Sequence, residues 1–443
     1  MNKKLDKSSQ DKIAIAFLSG SAGELDWTLP IIDFLLKKNF KIKIIFLTRH
    51  AYLSVQRNQM INDYIFQQTA QIEAHLCGGY FSEKIEHLSY LAYRAFIKLR
   101  LDEKLIIKTV YNLFNKPVSQ IFKSLFFQRL PSEILSLHKK NCIVFSEFPS
   151  LRRPRDFWLR EEFTRAIFFY HPHSPHIYTQ DLDKQYQESK FKNLNNKYFL
   201  LLGHPSDYSA VNVRKELFAT QLEKLFIGHP KYSNSWLQSF REKSKVFRSS
   251  SSIRDKTNIL VISRGIGSYI TKEAHANLVQ STIETIHNNI SNYNLFVKKH
   301  PREKNSYWDV VLDKYSSIKI VDDHILNIAT SVDFVITFWS SGAMDCYELG
   351  VPVIEFYDPN KYSKQQFFDK NQFTTIYRKL GLVHAADNQK QLKEIITMLI
   401  KNNFDVQSIK PHSFYIDLMK RSNNWRTTLE KIISTNSLLI TDF

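Results

Sequence analysis

Cysteine is scarce: Cys77, Cys142 and Cys346 are the only three in 443 residues. They lie far apart, follow no metal-ligand spacing and leave one unpaired. A disulfide framework and a cysteine-held zinc site are therefore disfavoured, and a reducing cytoplasm is the expected setting. Long apolar runs are also missing. No stretch approaches the roughly 20 residues that a membrane-spanning helix needs, and the polar start 1–12 leads into a strand-like run too short for the apolar core of a secretion signal. Membrane contact is then expected to be peripheral, on the inner face of an anionic bilayer. Nucleic-acid motifs are absent as well, and the aromatics read as core residues, not as a stacking platform between Lys and Arg.

What the chain does have is apolar mass and positive charge. Hydrophobic residues make up 43% and aromatics 14%, with 33 Phe and 21 Tyr, so sizeable cores can be buried. The length suits roughly two or three domains. Lys and Arg number 61 against 43 Asp and Glu, a net charge of +18 that attracts acidic partners such as nucleotide sugars, phospholipid surfaces or nucleic acid. A basic nucleic-acid-binding protein is the competing reading from another class, supported by charge alone.

Apolar β-rich runs alternate with helical periodicity. Strands are expected at 12–19 and 41–48, with a helix over 27–38 between them and the loop Gly20-Ser21-Ala22-Gly23-Glu24-Leu25-Asp26 before the helix. That is a βαβ unit, whose loops at the strand carboxyl ends point at a ligand cleft. Further strands are expected at 142–146, 166–170, 198–202 and 224–227. A basic helical insertion lies near 83–130, read either as core-packed helices with solvated lysines or as a surface for anionic lipid or glycan. A second series follows, with strands at 258–263, 293–298, 318–321, 333–337 and 351–356 and helices at 272–288 and 342–349. The architecture is thus α/β with two Rossmann-like domains facing across a cleft: 1–232, 233–405, and C-terminal helices over 406–443 that cross back to the first domain.

Two post-strand segments carry the chemistry. In Phe338-Trp339-Ser340-Ser341-Gly342 a strand gives way to a helix, so hydroxyls, backbone N–H groups and the positive helix end converge where a phosphate fits. Glu348 lies further along that helix. In Lys298-Lys299-His300-Pro301 an imidazole beside two cations can donate to a leaving phosphate. In the first domain Glu24 and Asp26 are the candidates for a general base, Glu24 favoured because it follows the Gly20–Gly23 turn and Asp26 read as a helix cap. Glu147, His171 and His173 also follow strands. Arg152, Arg153 and Arg155 beside Glu147 could clamp an anionic sugar, or form a solvated charge run. No metal is expected, because the histidines lack a third ligand at proper spacing.

These motifs resemble the bacterial capsule, lipopolysaccharide and teichoic-acid glycosyltransferases of the GT-B type: Lys299-His300-Pro301, then Ser340-Ser341 and downstream Glu348, covering about 225–360. Gly228-His229-Pro230-Lys231-Tyr232 is similar to the turn that opens their second lobe, with Ser233 where many relatives carry Asp. The resemblance implies metal-independent, inverting transfer of a sugar or glycosyl phosphate from a nucleotide-activated donor, CMP- or CDP-linked by preference, to a glycan or lipid-linked acceptor, with no further cofactor. It implies donor binding by Lys299, His300, Pro301, Ser340, Ser341, Gly342 and Glu348. The loop Ser263-Arg264-Gly265 resembles the other phosphate-proximal loop, unless it is a plain flexible turn. Gly20, Ser21, Gly23, Glu147, Arg152, Arg153, His171 and His173 are the acceptor-side candidates. A nucleotide-sugar 2-epimerase shares this fold, but its Gly-Thr-Arg-Pro-Glu start is absent around 19–26.

Overall fold

The computed structural model describes residues 12–67, 70–77, 120, 123–148, 155–174, 177, 182–183, 196–207, 222–250, 255–267, 270–300, 303, 306–312, 314–315, 317–362, 367–369, 372–404 and 409–441. Most of the basic insertion, together with Arg152, Arg153 and Pro301, lies outside them.

The first lobe is a seven-stranded parallel sheet: β1 Lys12–Leu18, β2 Phe40–Phe46, β3 Ile72–Leu76, β4 Ile143–Glu147, β5 Ile167–His171, β6 Tyr198–Leu202 and β7 Glu223–Phe226. Its order is β3-β2-β1-β4-β5-β6-β7. Central β1 is apolar from Ile13 to Leu18 because helices cover both faces of such a sheet. Ala14, Ala16 and Leu18 enter one core, and Ile13, Ile15 and Phe17 the other. The order reverses between β1 and β4, which puts the ligand crevice at their carboxyl ends.

The second lobe repeats the scheme with β8 Thr257–Ile262, β9 Tyr293–Lys298, β10 Ile318–Ile320, β11 Phe334–Thr337 and β12 Val353–Phe356. A hairpin of β13 Phe367–Asp369 and β14 Gln372–Thr374 precedes β15 His384–Ala386. The parallel order β10-β9-β8-β11-β12-β15 has its switch point between β8 and β11.

Two helices tie the lobes together. The second domain, expected from 233, opens with the helix Asn234–Ser249, which buries Leu237 in the second core. Its Arg241 reaches Glu348, and its Arg248 reaches the carbonyls of Leu349 and Gly350. The C-terminal helix Ser413–Thr441 places Phe414, Tyr415 and Leu418 in the second core and Trp425, Leu429 and Ile432 in the first. It crosses the chain at Gly228, whose φ is +68°, and Ser422 Oγ accepts the His229 amide at 2.9 Å. A Cβ at Gly228 would lie 2.2 Å from Ser422 N. Gly228→Ala should therefore cost about 2 kcal/mol or more from the left-handed backbone and the clash. A urea-unfolding midpoint unchanged from wild type would refute this packing.

Candidate active site

The first helix starts earlier than its periodicity suggests, at Ala22, because Ser21 caps it: Ser21 Oγ accepts the Gly23 amide at 3.3 Å. Asp26 therefore is not a cap. It sits in the second turn and binds His324 Nε2 at 2.7 Å and Lys231 Nζ, both in ion pairs between chain segments. Lys231 also meets Asp345 Oδ1 at 2.7 Å, which accepts from Tyr232 Oη at 2.9 Å. Burial alone would raise the Asp26 pKa, but His324 and Lys231 outweigh it and hold the carboxyl well below its usual range. At Asp345 burial prevails and pushes the carboxyl up. Neither residue is available as a solvent-facing base.

Glu24 lies in the first turn and folds back on its own loop. Its carboxylate accepts the amides of Ser19, at 3.1 Å, and Gly20. The side chain is fully buried. Next to it the carboxyl ends of β4 and β5 bring in Glu147 and His173: His173 Nδ1 is 3.6 Å from Glu24 Oε1 and 3.7 Å from Glu147 Oε2. Three separate loops thus deliver one imidazole between two carboxylates. The Glu147 and Glu24 carboxylates push the His173 pKa up to about 9, against the opposing effect of burial. The Gly20 and Gly23 positions serve this packing. A Cβ at Gly20 would fall 2.3 Å from His173 Cε1, and one at Gly23 would fall 3.2 Å from the His173 carbonyl oxygen. Ser21 Oγ lies 3.4 Å from His173 Nε2. The glycines admit the protein's own histidine segment to the turn.

His171 is different. It is fully buried and stacks on Trp27 at 5.8 Å, and its Nδ1 lies 2.9 Å from the Pro172 carbonyl oxygen. Burial lowers its pKa, so the ring is a neutral wall of the site. The ligand atoms of Glu24, Glu147 and His173 lie within 4.8 Å of one another, close enough to share a cation.

In the second lobe the turn after β11 carries the hydroxyl pair. Trp339 has φ +59°, a conformation that costs a non-glycine residue and that clusters at ligand-holding turns. Arg264, from the loop after β8, donates to the Trp339 carbonyl at 2.8 Å and stacks over its ring at 4.7 Å. Tyr357 is a further ring partner at 5.6 Å. Ser340 Oγ accepts the Gly342 amide at 3.3 Å, and Ser341 hydrogen-bonds Tyr377. Gly342 is small for packing reasons, since a Cβ there would meet Ile325 Cδ1 at 2.5 Å.

Four residues expected near a donor are engaged elsewhere. Both Glu348 oxygens are occupied, one by Arg241 and one by Tyr415 Oη at 2.8 Å, anchoring the two lobe-tying helices. Lys299 pairs with Asp309. Ser263 is 1% exposed and, like Gly265, packs against Glu303. Sequence reasoning missed Glu303, His275, His324 and Asp345, each of which has a partner on a distant element.

No protein-family profile matches the chain, and no curated protein matches it in sequence. Solved structures do share its fold. The UDP-GlcNAc 2-epimerase of Methanocaldococcus jannaschii aligns over 96% of this chain and 99% of its own length at 12% identity, with a TM-score of 0.47. A glycosyltransferase from Rickettsia africae ESF-5 aligns over 98% and 100% at 10% identity and 0.46. A variant of the wall teichoic acid polymerase TagF aligns over 98% and 90% at 10% identity and 0.50. The likeness is one of fold: two Rossmann-like domains in the GT-B arrangement.

The His173 proton gives a stability signature. The folded ring binds its proton more tightly than the unfolded one, so this stabilisation is fully present below about pH 6.5 and is lost as pH rises through about 9. The difference in Tm between wild type and His173→Gln should shrink across that window. A difference independent of pH would show that His173 does not hold a proton between the carboxylates.

Proposed function

We propose that the protein is a glycosyltransferase that moves a sugar or glycosyl phosphate from a nucleotide-activated donor, CMP- or CDP-linked by preference, to a surface glycan or lipid-linked acceptor. The observation that carries this reading is the Glu24–His173–Glu147 cluster: an acid–base group at the strand carboxyl ends of a Rossmann-type lobe, where such sheets take ligands. The strained Trp339 turn with Ser340 and Ser341, clamped by Arg264, supports an anion-binding role for the second lobe. The charge of +18 suits an anionic donor and an acceptor at an anionic membrane. No described helix is long and apolar enough to cross a membrane.

A base must reach the acceptor hydroxyl. Glu24 is wrapped by two amides and fully buried, whereas Glu147 retains 20% side-chain exposure. In our reading Glu147 takes the acceptor proton, the His173 cation orients Glu147, and Glu24 anchors His173. His300 donates to the leaving phosphate, and Ser340 and Ser341 hold it. Epimerisation is the second reading, since the same cluster could remove and return a sugar C–H proton.

A panel of CMP-, CDP-, UDP- and GDP-activated sugars, scored for released nucleotide, separates the two. Transfer releases nucleotide, with or without chelator; epimerisation in D2O labels the sugar and leaves the donor whole. Glu147→Gln and His300→Ala should each lower turnover by about a hundredfold or more, Glu147→Gln with donor affinity retained. Normal transfer by Glu147→Gln alongside an inactive Glu24→Gln would move the base to Glu24.

A further inference from the structure

Beneath the loop that carries His300, one carboxylate gathers four donors. Glu303 Oε1 accepts from Ser263 Oγ at 3.0 Å and from Ser306 Oγ, and it lies 3.0 Å from His275 Nε2. Oε2 accepts the His300 amide at 3.2 Å. The Glu303 amide donates back to the His300 carbonyl at 2.8 Å, closing the turn in both directions. The side chain is 1% exposed. From the other side the loop after β8 rests on it: a Cβ at Gly265 would lie 2.7 Å from Glu303 Cγ and 3.0 Å from its Cα. Ser263 is itself pinned by Trp308 Nε1, which donates to its Oγ at 2.9 Å.

The residue is placed to do more than fill a core. Burying a carboxylate is costly unless donors compensate it, and an apolar side chain would close the same space without that cost. Here the compensating donors come from both loops at the carboxyl ends of neighbouring strands, and one of them is the backbone of His300. Burial would raise the carboxyl pKa, but the bonds from His275 and Ser306 outweigh it, so the group is charged.

We propose that Glu303 is a positioning residue that braces the loops after β8 and β9 into one rigid unit, so that Arg264 and His300 meet an anionic donor in a fixed relation. This rests on the donor-transfer reading above and adds a residue to it.

Glu303→Gln is the informative variant, because an amide has a single oxygen. Either the His300 amide or the cluster of three side-chain donors must then face an N–H. By hydrogen-exchange mass spectrometry, peptides over 263–267 and 298–303 should lose protection together, by about tenfold or more, while the strands of both sheets keep theirs. Ser263→Ala removes one donor only and should loosen the same two loops to a smaller degree, which keeps the test open if Glu303→Gln folds poorly. Turnover of the Glu303→Gln/His300→Ala double variant should fall by clearly less than the product of the two single effects, since part of the Glu303 effect passes through His300. Unchanged protection, loosening of one loop only, or a double variant that loses the product of both single effects would overturn the brace. Failure to transfer from any donor would refute the transferase reading alone, and the exchange measurement would still decide on Glu303.

Discussion

The arrangement of the two lobes depends on a buried ammonium. Lys231, 2% exposed, stands between Asp26 of the first lobe and Asp345 of the second, with His324 closing on Asp26. A charge so placed is tolerable only while its partners stay put, because removing one leaves an uncompensated ion in a low-dielectric interior. The node therefore penalises any slide between the lobes. It also sits between the two candidate half-sites. Asp26 is two residues past Glu24 on the first helix, and Asp345 lies on the helix that begins at Gly342, just after the serine pair. Fixing those two helices against one another fixes the Glu24–His173–Glu147 cluster relative to the Trp339 turn.

The two half-sites divide the electrostatics. Around His173 two carboxylates stabilise a cation, and the positive charge stays within the protein. Around Trp339 the charge comes from the Arg264 guanidinium, beside the Thr337 and Ser340 hydroxyls that accept the Ser340 and Gly342 amides.

The strands were legible because each central one carries a run of apolar residues, and Tyr198–Leu202 and Tyr293–Lys298 fall where alternation with helices puts them. Edge strand β3, Ile-Glu-Ala-His-Leu, was not legible, since it is half exposed and shows only weak alternation. The helix Asn234–Ser249 was hidden by a polar composition that buries little more than Leu237. At the site, the residue types after each strand could be read from the chain, but not their meeting. Glu24 is more than a hundred residues from Glu147 and His173, and all three follow different strands, so only the sheet order β1-β4-β5 brings them together. Glu303 gave no signal for the same reason: its partners Ser263, His275 and His300 belong to three different elements.

The glycines show how sequence reasoning goes astray in such a fold. A glycine after a strand is commonly read as making room for a ligand's phosphate. Here Gly20 makes room for His173, Gly265 for Glu303 and Gly342 for Ile325. Each allows a protein side chain, not a substrate, to approach the turn, and two of the three admitted residues are charged groups in a candidate half-site. Small residues at these turns still mark the site, but they do so one layer further in. They let the groups that orient the chemistry pack close against the backbone, and a ligand is left to meet side chains whose positions are already set.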